Sequence, residues 1–218
     1  MSLQDYAGRK NMKFQEGFGR CLIPVLIILI TFQGNDLFSQ SWNLVKQKYG
    51  IKVYTKQEQN SSFKCFKGVA DIKTNSNKVY AIIGNVRSTD HWDPGVRELK
   101  VLSSVKDQSF SYYLIYSIPW PLHDRDLCVS VKITHDSLNG DIVIDARSKA
   151  QLVPEKPDLV RIKNYWQKWI IHPIDKEHIR LTLEGFADPA GNIPAWLYNM
   201  VITDTPLNLI HDIQQKVK

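Results

Sequence analysis

Cysteine is scarce in this chain, and so are the residue spacings that mark catalytic or metal centres. Three cysteines occur in 218 residues, Cys21, Cys65 and Cys128, with no CxxC pair and no Cys/His spacing suited to zinc. The histidines at 91, 123, 135, 172, 178 and 211 form no HxxxH or HxH pair, so no metal site is expected. A GxSxG elbow, a phosphate-binding loop and a GxGxxG turn are all missing, and no cofactor is expected. No run of five or more basic residues occurs, and a nucleic-acid reader usually gathers its lysines and arginines on one face or helix. No apolar stretch reaches the roughly 20 residues of a comfortable membrane span. No internal repeat or low-complexity linker is visible either, and Val153–Pro157 reads as a loop within one domain.

What is present is aromatic and mildly basic. Six Trp, nine Tyr and eight Phe are enough to build a core or line a large apolar pocket, because each buries a large area. The net charge of +6 comes from scattered lysines and arginines. It reads as a solvated surface, or as weak attraction to anionic membranes. The length suits one ordinary domain plus a tail.

The tail has the pattern of an export signal. Lys13 and Arg20 precede the apolar run Cys21–Phe32, and small polar residues follow. Ser39 and Ser41 stand at the −3 and −1 positions of a cleavage before Trp42, and cleavage after Ser39 is a close second. Met12 begins a more usual signal than Met1. Residues 1–41 are therefore expected to be a targeting segment and 42–218 the domain. The product is expected to be secreted or periplasmic, with an uncleaved membrane anchor as the alternative. Asn60–Ser62 is a formal glycosylation sequon, meaningful in a eukaryotic source.

Within the domain, Ser41 to about Gln47 reads as a short helix, and 63–72 as a strand. Residues 75–85 read as a helix, with Val79, Ile82, Ile83 and Val86 at i, i+3, i+4 and i+7. Strands are expected near 97–105, 109–118, 126–135, 141–149, 160–172 and 178–187, separated by turn signals such as Ser137–Asp141. In 126–135 the residues alternate, Leu127, Val129, Val131 and Ile133 on one face, Cys128, Ser130, Lys132 and Thr134 on the other. Residues 194–217 read as one long helix, with Pro206 a candidate kink. Cys65 and Cys128 fall in strands distant in sequence and read as buried free thiols, a disulfide being the alternative in an oxidising compartment. A strand meander followed by one terminal helix is an α+β pattern, and a helix laid on a curled sheet can leave a cavity.

Four stretches in order, spanning about 42–218, resemble the START (steroidogenic-acute-regulatory-related lipid transfer) family. They are Trp92-Asp-Pro94-Gly-Val-Arg-Glu98-Leu-Lys-Val-Leu102, Pro119-Trp-Pro121-Leu-His-Asp-Arg125-Asp126, Tyr165-Trp-Gln-Lys-Trp169-Ile-Ile-His-Pro173 and Asp188-Pro-Ala-Gly191-Asn-Ile-Pro194-Ala-Trp196-Leu-Tyr-Asn199. The glycine usual before the late tryptophan is Lys168 here. The resemblance implies a helix-grip fold, a curved antiparallel sheet wrapped around a long C-terminal helix with an internal apolar tunnel. It implies a monomeric carrier of one hydrophobic ligand, not an enzyme, that meets membrane surfaces transiently. The ligand-binding residues it implies are Trp92, Tyr113, Trp120, Arg125, Leu127, Val129, Val131, Trp169, Trp196, Met200 and Val201. Trp196, Met200 and Val201 are expected to face the sheet. Some sterol-handling relatives carry an inward arginine where Val131 stands, so a fatty acyl chain or phospholipid is expected ahead of a sterol. Arg125-Asp126 either meets a head group at the cavity wall or stabilises its own turn. A cyclase- or hydrolase-like activity on an apolar substrate would need acid–base groups inside the tunnel, and Arg125, Asp126 and tyrosines 112, 113 and 116 are the candidates. A third reading is an interaction module whose pocket is too small for lipid.

Overall fold

The computed structural model describes residues 41–86 and 95–218. Residues 1–40 of the expected targeting segment, and Trp92, lie outside the described residues.

The first element departs from expectation. Asn43–Lys48 is a strand, β1, not a helix, and it pairs antiparallel with β2, Ile51–Gln57. The joint is Tyr49-Gly50, both at positive φ (54° and 74°), the two-residue hairpin geometry that glycine favours. β1 buries almost none of its side chains, so no hydrophobic period marks it. β2, which the sequence reading passed over, alternates buried Ile51, Val53 and Thr55 with Lys52, Tyr54 and Lys56. The chain continues as β3 (Lys64–Lys73) and α1 (Ser76–Ile83), whose cap Asn75 accepts from the Lys78 amide at 3.0 Å. Strands β4 (Val96–Val105), β5 (Ser109–Tyr116), β6 (Arg125–His135) and β7 (Ile142–Ser148) follow. After a single 3-10 turn at Ala150–Leu152 come β8 (Val160–Arg161), β9 (Tyr165–Pro173) and β10 (His178–Ala187).

Nine strands lie in the order β1-β2-β3-β10-β9-β7-β6-β5-β4, every pair antiparallel, and β8 adds in parallel to β6. The sheet is curled. Tyr112 in β5 and Tyr165 in β9 are three strand spacings apart, about 14 Å across a flat sheet, yet their hydroxyls are hydrogen-bonded. Register shifts in β1 and β4 add local bends.

The C-terminal element is two helices, α2 (Ala195–Val201) and α3 (Asp204–Lys216). The expected single helix with a kink is corrected by the chemistry of Pro206. Its ring sits in the first turn of α3, where no amide donor is required. In an unbroken helix that ring would strike the carbonyl of Ile202, four residues earlier, and the break falls there. α3 lies across β2, β3 and β10. It approaches closely at Gly68, where an added Cβ would stand 2.7 Å from Ile210 Cδ1 and 2.9 Å from Pro206 Cβ.

One apolar cluster joins the concave face of the sheet to α1 and α3. A smaller one on the convex face holds Tyr113, Ile115 and Cys128 under Val153 and Leu159 of the loop before β8. Cys65 and Cys128 are both free and buried, and the Cys65 thiol donates to Glu58 Oε2 at 2.6 Å. Burial, then that carboxylate, pushes the Cys65 thiol far above its usual range, so it stays protonated and inert.

Candidate functional site

The concave interior takes its walls from the strand pleat. Leu127, Val129 and Val131 all point inward from β6 and are almost fully buried, as their alternation predicted. Trp169 joins them from β9, and Ile210 and Ile213 close the interior from α3. These four sequence-predicted residues are brought together at one surface.

The other predicted residues fall elsewhere. Tyr113 shares its face with Cys128 and belongs to the convex cluster, so the expectation that it lines the interior is corrected. Its neighbour Tyr112 is the inward one. Trp120 is 92% exposed in the loop between β5 and β6. Trp196 is 69% exposed, and Met200 and Val201 are also exposed, so they face away from the sheet rather than towards it. α2 contributes Tyr198 to the interior instead, packed on the main cluster. Thus an exposed Trp marks both the loop before β6 and the helix after β10. Strand ends place these two at one pole of the curled sheet, together with the starts of β3 and β9.

Arg125 and Asp126 separate by the pleat. Arg125 donates from Nε to the Pro189 carbonyl at 3.1 Å, from Nη2 to Ala190 at 3.2 Å, and from Nη1 to His123. Three carbonyls absorb its donors, so it ties the start of β6 to the loop that leads into α2. Its burial lowers its pKa by desolvation, which the nearby Asp124 carboxylate offsets in part. Asp126 turns to the convex face, where Arg161 meets it in a fork, Nε–Oδ1 2.7 Å and Nη2–Oδ2 2.8 Å, with both side chains 1% exposed. Arg161 also donates to the carbonyls of Ala150, Val153 and Pro154, which pins that loop on the sheet. Breaking such a buried pair on one side typically costs about 3–5 kcal/mol, which marks this as architecture.

The polar groups left inside are neutral phenols that sequence reasoning either missed or assigned to another role. Tyr112 donates to the Tyr165 hydroxyl, and Tyr165 donates to Gln167 Oε1 at 2.5 Å. Burial pushes both phenols well above their usual range. The signal for Tyr165 and Gln167 was available, since both stand at even spacing from Trp169 on β9. Tyr198 was hidden among three exposed apolar neighbours on α2. Among the described residues no group of three His, Cys, Asp or Glu is placed to hold a metal.

Known proteins resemble the chain along most of its length. An uncharacterized protein of Pseudomonas aeruginosa is 28% identical over 181 residues, 83% of this chain and 88% of that one. The mouse phosphatidylcholine transfer protein is 25% identical over 181 residues, covering 81% and 84%. A solved fragment of the STAR-related lipid transfer protein of Xanthomonas axonopodis superposes with a TM-score of 0.72 at 26% identity, covering 81% of this chain and 98% of that one. Human StAR-related lipid transfer protein 5 shares the fold, with a TM-score of 0.71 at 18% identity over 82% of this chain and 87% of its own. The START domain profile matches residues 31–216, and with the curled sheet and its C-terminal helix this makes the chain a member of the START domain family.

Proposed function

We propose that this chain binds one lipid between the concave sheet and α3 and exchanges it at a membrane surface, without chemical change to the lipid. The observation that carries the reading is an interior wall of aliphatic and aromatic side chains, its polar groups uncharged, roofed at one pole by α2, a helix with no buried residue. A C16 acyl chain moved from water into such a wall gains on the order of 10 kcal/mol before ordering costs, enough to hold a lipid without a catalytic or charged anchor. Trp120 and Trp196 give that pole the apolar, interface-seeking groups needed to meet a bilayer. Carriage is favoured over catalysis because Asp126 and Tyr113, two of the acid–base candidates, point away from the interior. The relatives named for phosphatidylcholine transfer favour an acyl lipid.

The reading extends to location. Lys56 and Lys67 hold their ammonium groups 4.9 and 4.3 Å from the Trp42 ring, so the residue that cleavage would expose is already docked on the fold. Export with removal of residues 1–41 therefore leaves an intact domain. The test is native mass spectrometry and N-terminal sequencing of the exported protein purified without detergent. A stoichiometric lipid adduct on a chain beginning at Trp42 is the expected result. A protein that is empty and takes up no fluorescent acyl lipid would end the carrier reading.

A further inference from the structure

Three phenols converge near one row of the sheet. Register places Tyr112, Val129 and Ser148 side by side across β5, β6 and β7, and Tyr165 beside Ala187 across β9 and β10, one step past the last β7–β9 pair, Arg147 with Trp166. The Tyr198 hydroxyl comes down on this row from α2, beside the Ala187 backbone. Its ring stands edge-on to Phe63 at 5.2 Å, and its neighbour Asn199 pins α2 by accepting from the Lys64 amide at 2.9 Å and donating to the Ser62 carbonyl at 3.0 Å. So the position of the phenol is fixed from both sides.

Tyr112 and Tyr165 spend their protons within the chain, on Tyr165 and on Gln167. Tyr198 does not. Its oxygen is buried, the Ala187 amide faces it without the geometry of a formed hydrogen bond, and no acceptor takes its proton among the described residues. A buried hydroxyl without a partner lowers stability, and a phenylalanine would fill the same space without that cost. Burial, against the smaller opposing pull of the Ala187 amide, keeps the phenol protonated far above neutral pH, so what it offers is a donor. Arg125, Asp126 and Arg161, the buried charged groups among the described residues, are all engaged elsewhere. A formally charged ligand group beside Tyr198 would lack a counter-charge from these residues, whereas a carbonyl oxygen needs only a proton donor and brings none of its own.

We infer that Tyr198 donates a hydrogen bond to an ester carbonyl of the bound lipid, so that the chain distinguishes acyl esters from alkyl ethers of the same length and head group. This rests on the carrier reading above, and the two can fail separately. The experiment measures binding of diacyl phosphatidylcholine and of its dialkyl ether analogue to the full chain, to Tyr198→Phe and to Thr74→Val. Among the described residues Thr74, just past the opposite end of β3, carries the other buried unpartnered hydroxyl. The expected result is about three- to tenfold tighter binding of the ester by the unaltered chain, the worth of one hydrogen bond to a neutral acceptor. Tyr198→Phe removes the preference while its melting temperature stays equal or rises. Thr74→Val keeps the preference. Equal binding of ester and ether by the unaltered chain, or a preference that survives in Tyr198→Phe, overturns the inference and leaves carriage intact. Binding of neither lipid by the unaltered chain takes both down.

Discussion

α2 and α3 are consecutive pieces of one C-terminal segment, and they are held in opposite ways. α3 buries Pro206, Leu207, Ile210 and Ile213 and sits so close to β3 that Gly68 has no room for a side chain. α2 buries no residue, starts at Pro194 without a side-chain cap, and presents Trp196, Met200 and Val201 outward. What fixes it is Asn199, with its two hydrogen bonds to the start of β3, and the ring of Tyr198. Each fully buried aliphatic side chain contributes about 1.5–3 kcal/mol, so the two helices differ by several kcal/mol in how firmly they are seated. A carrier needs both properties. The interior must persist when empty, which calls for a clamp, and it must open, which calls for an element that detaches without unfolding the rest.

The largest expected effect breaks the clamp. Ile210→Ala removes a side chain with no exposure at the point where α3 crosses Gly68, and the space cannot collapse because the glycine offers nothing to fill it. A loss of about 2–5 kcal/mol in denaturant unfolding is expected, with the slope unchanged. A loss under about 1 kcal/mol would mean that α3 is no more firmly seated than α2, and the contrast would dissolve.

How much of this was legible in sequence depended on which faces are buried. β6 was readable because its second half has one buried face, and Leu127, Val129 and Val131 follow the strand period. β5 was not. Phe110 to Ile115 are all buried, since the convex cluster covers the outer face as well, so period two vanishes and Tyr113 could not be told from Tyr112. β1 failed for the opposite reason, as a strand that buries too little to leave a pattern. On α2, apolar residues were assigned inward because burial is their usual fate. The helix turns them to the surface, and only the packed fold shows that a tyrosine takes the inner side. Asp126 and Arg161 are 35 residues apart, and no local signal joins them.

The second test acts on the door and reads exchange rather than folding. Trp196→Ser with Met200→Ser removes two exposed groups from α2. Unfolding free energy should shift by no more than about 0.5 kcal/mol, as for surface positions elsewhere. Transfer of a fluorescent acyl lipid between vesicles should slow about tenfold or more, because the apolar area that drives interfacial binding is gone. A pair that loses more than about 1 kcal/mol of stability and transfers at the normal rate would place α2 in the clamp.

The smallest expected effect locates the boundary between the two parts. Lys46 on β1 meets Asp204, the first residue of α3, at 2.5 Å, with side chains 37% and 55% exposed. An exposed pair of this kind is worth about 0–1 kcal/mol and is screened by salt, although Asp204 also suits the positive end of the helix dipole. Asp204→Asn keeps the size and removes the charge. If the hinge is the break at Ile202–Thr203, the pair lies on the clamp side of it, and its loss should leave lipid transfer unchanged while stability falls by at most about 1 kcal/mol at low salt and less at high salt. Hydrogen exchange should then still show protected amides from the second turn of α3 onward and open ones in α2. Transfer that speeds up severalfold in Asp204→Asn, with the first turn of α3 losing protection, would move the hinge past Asp204. The door would then include that turn, and Pro206 would mark where the clamp begins.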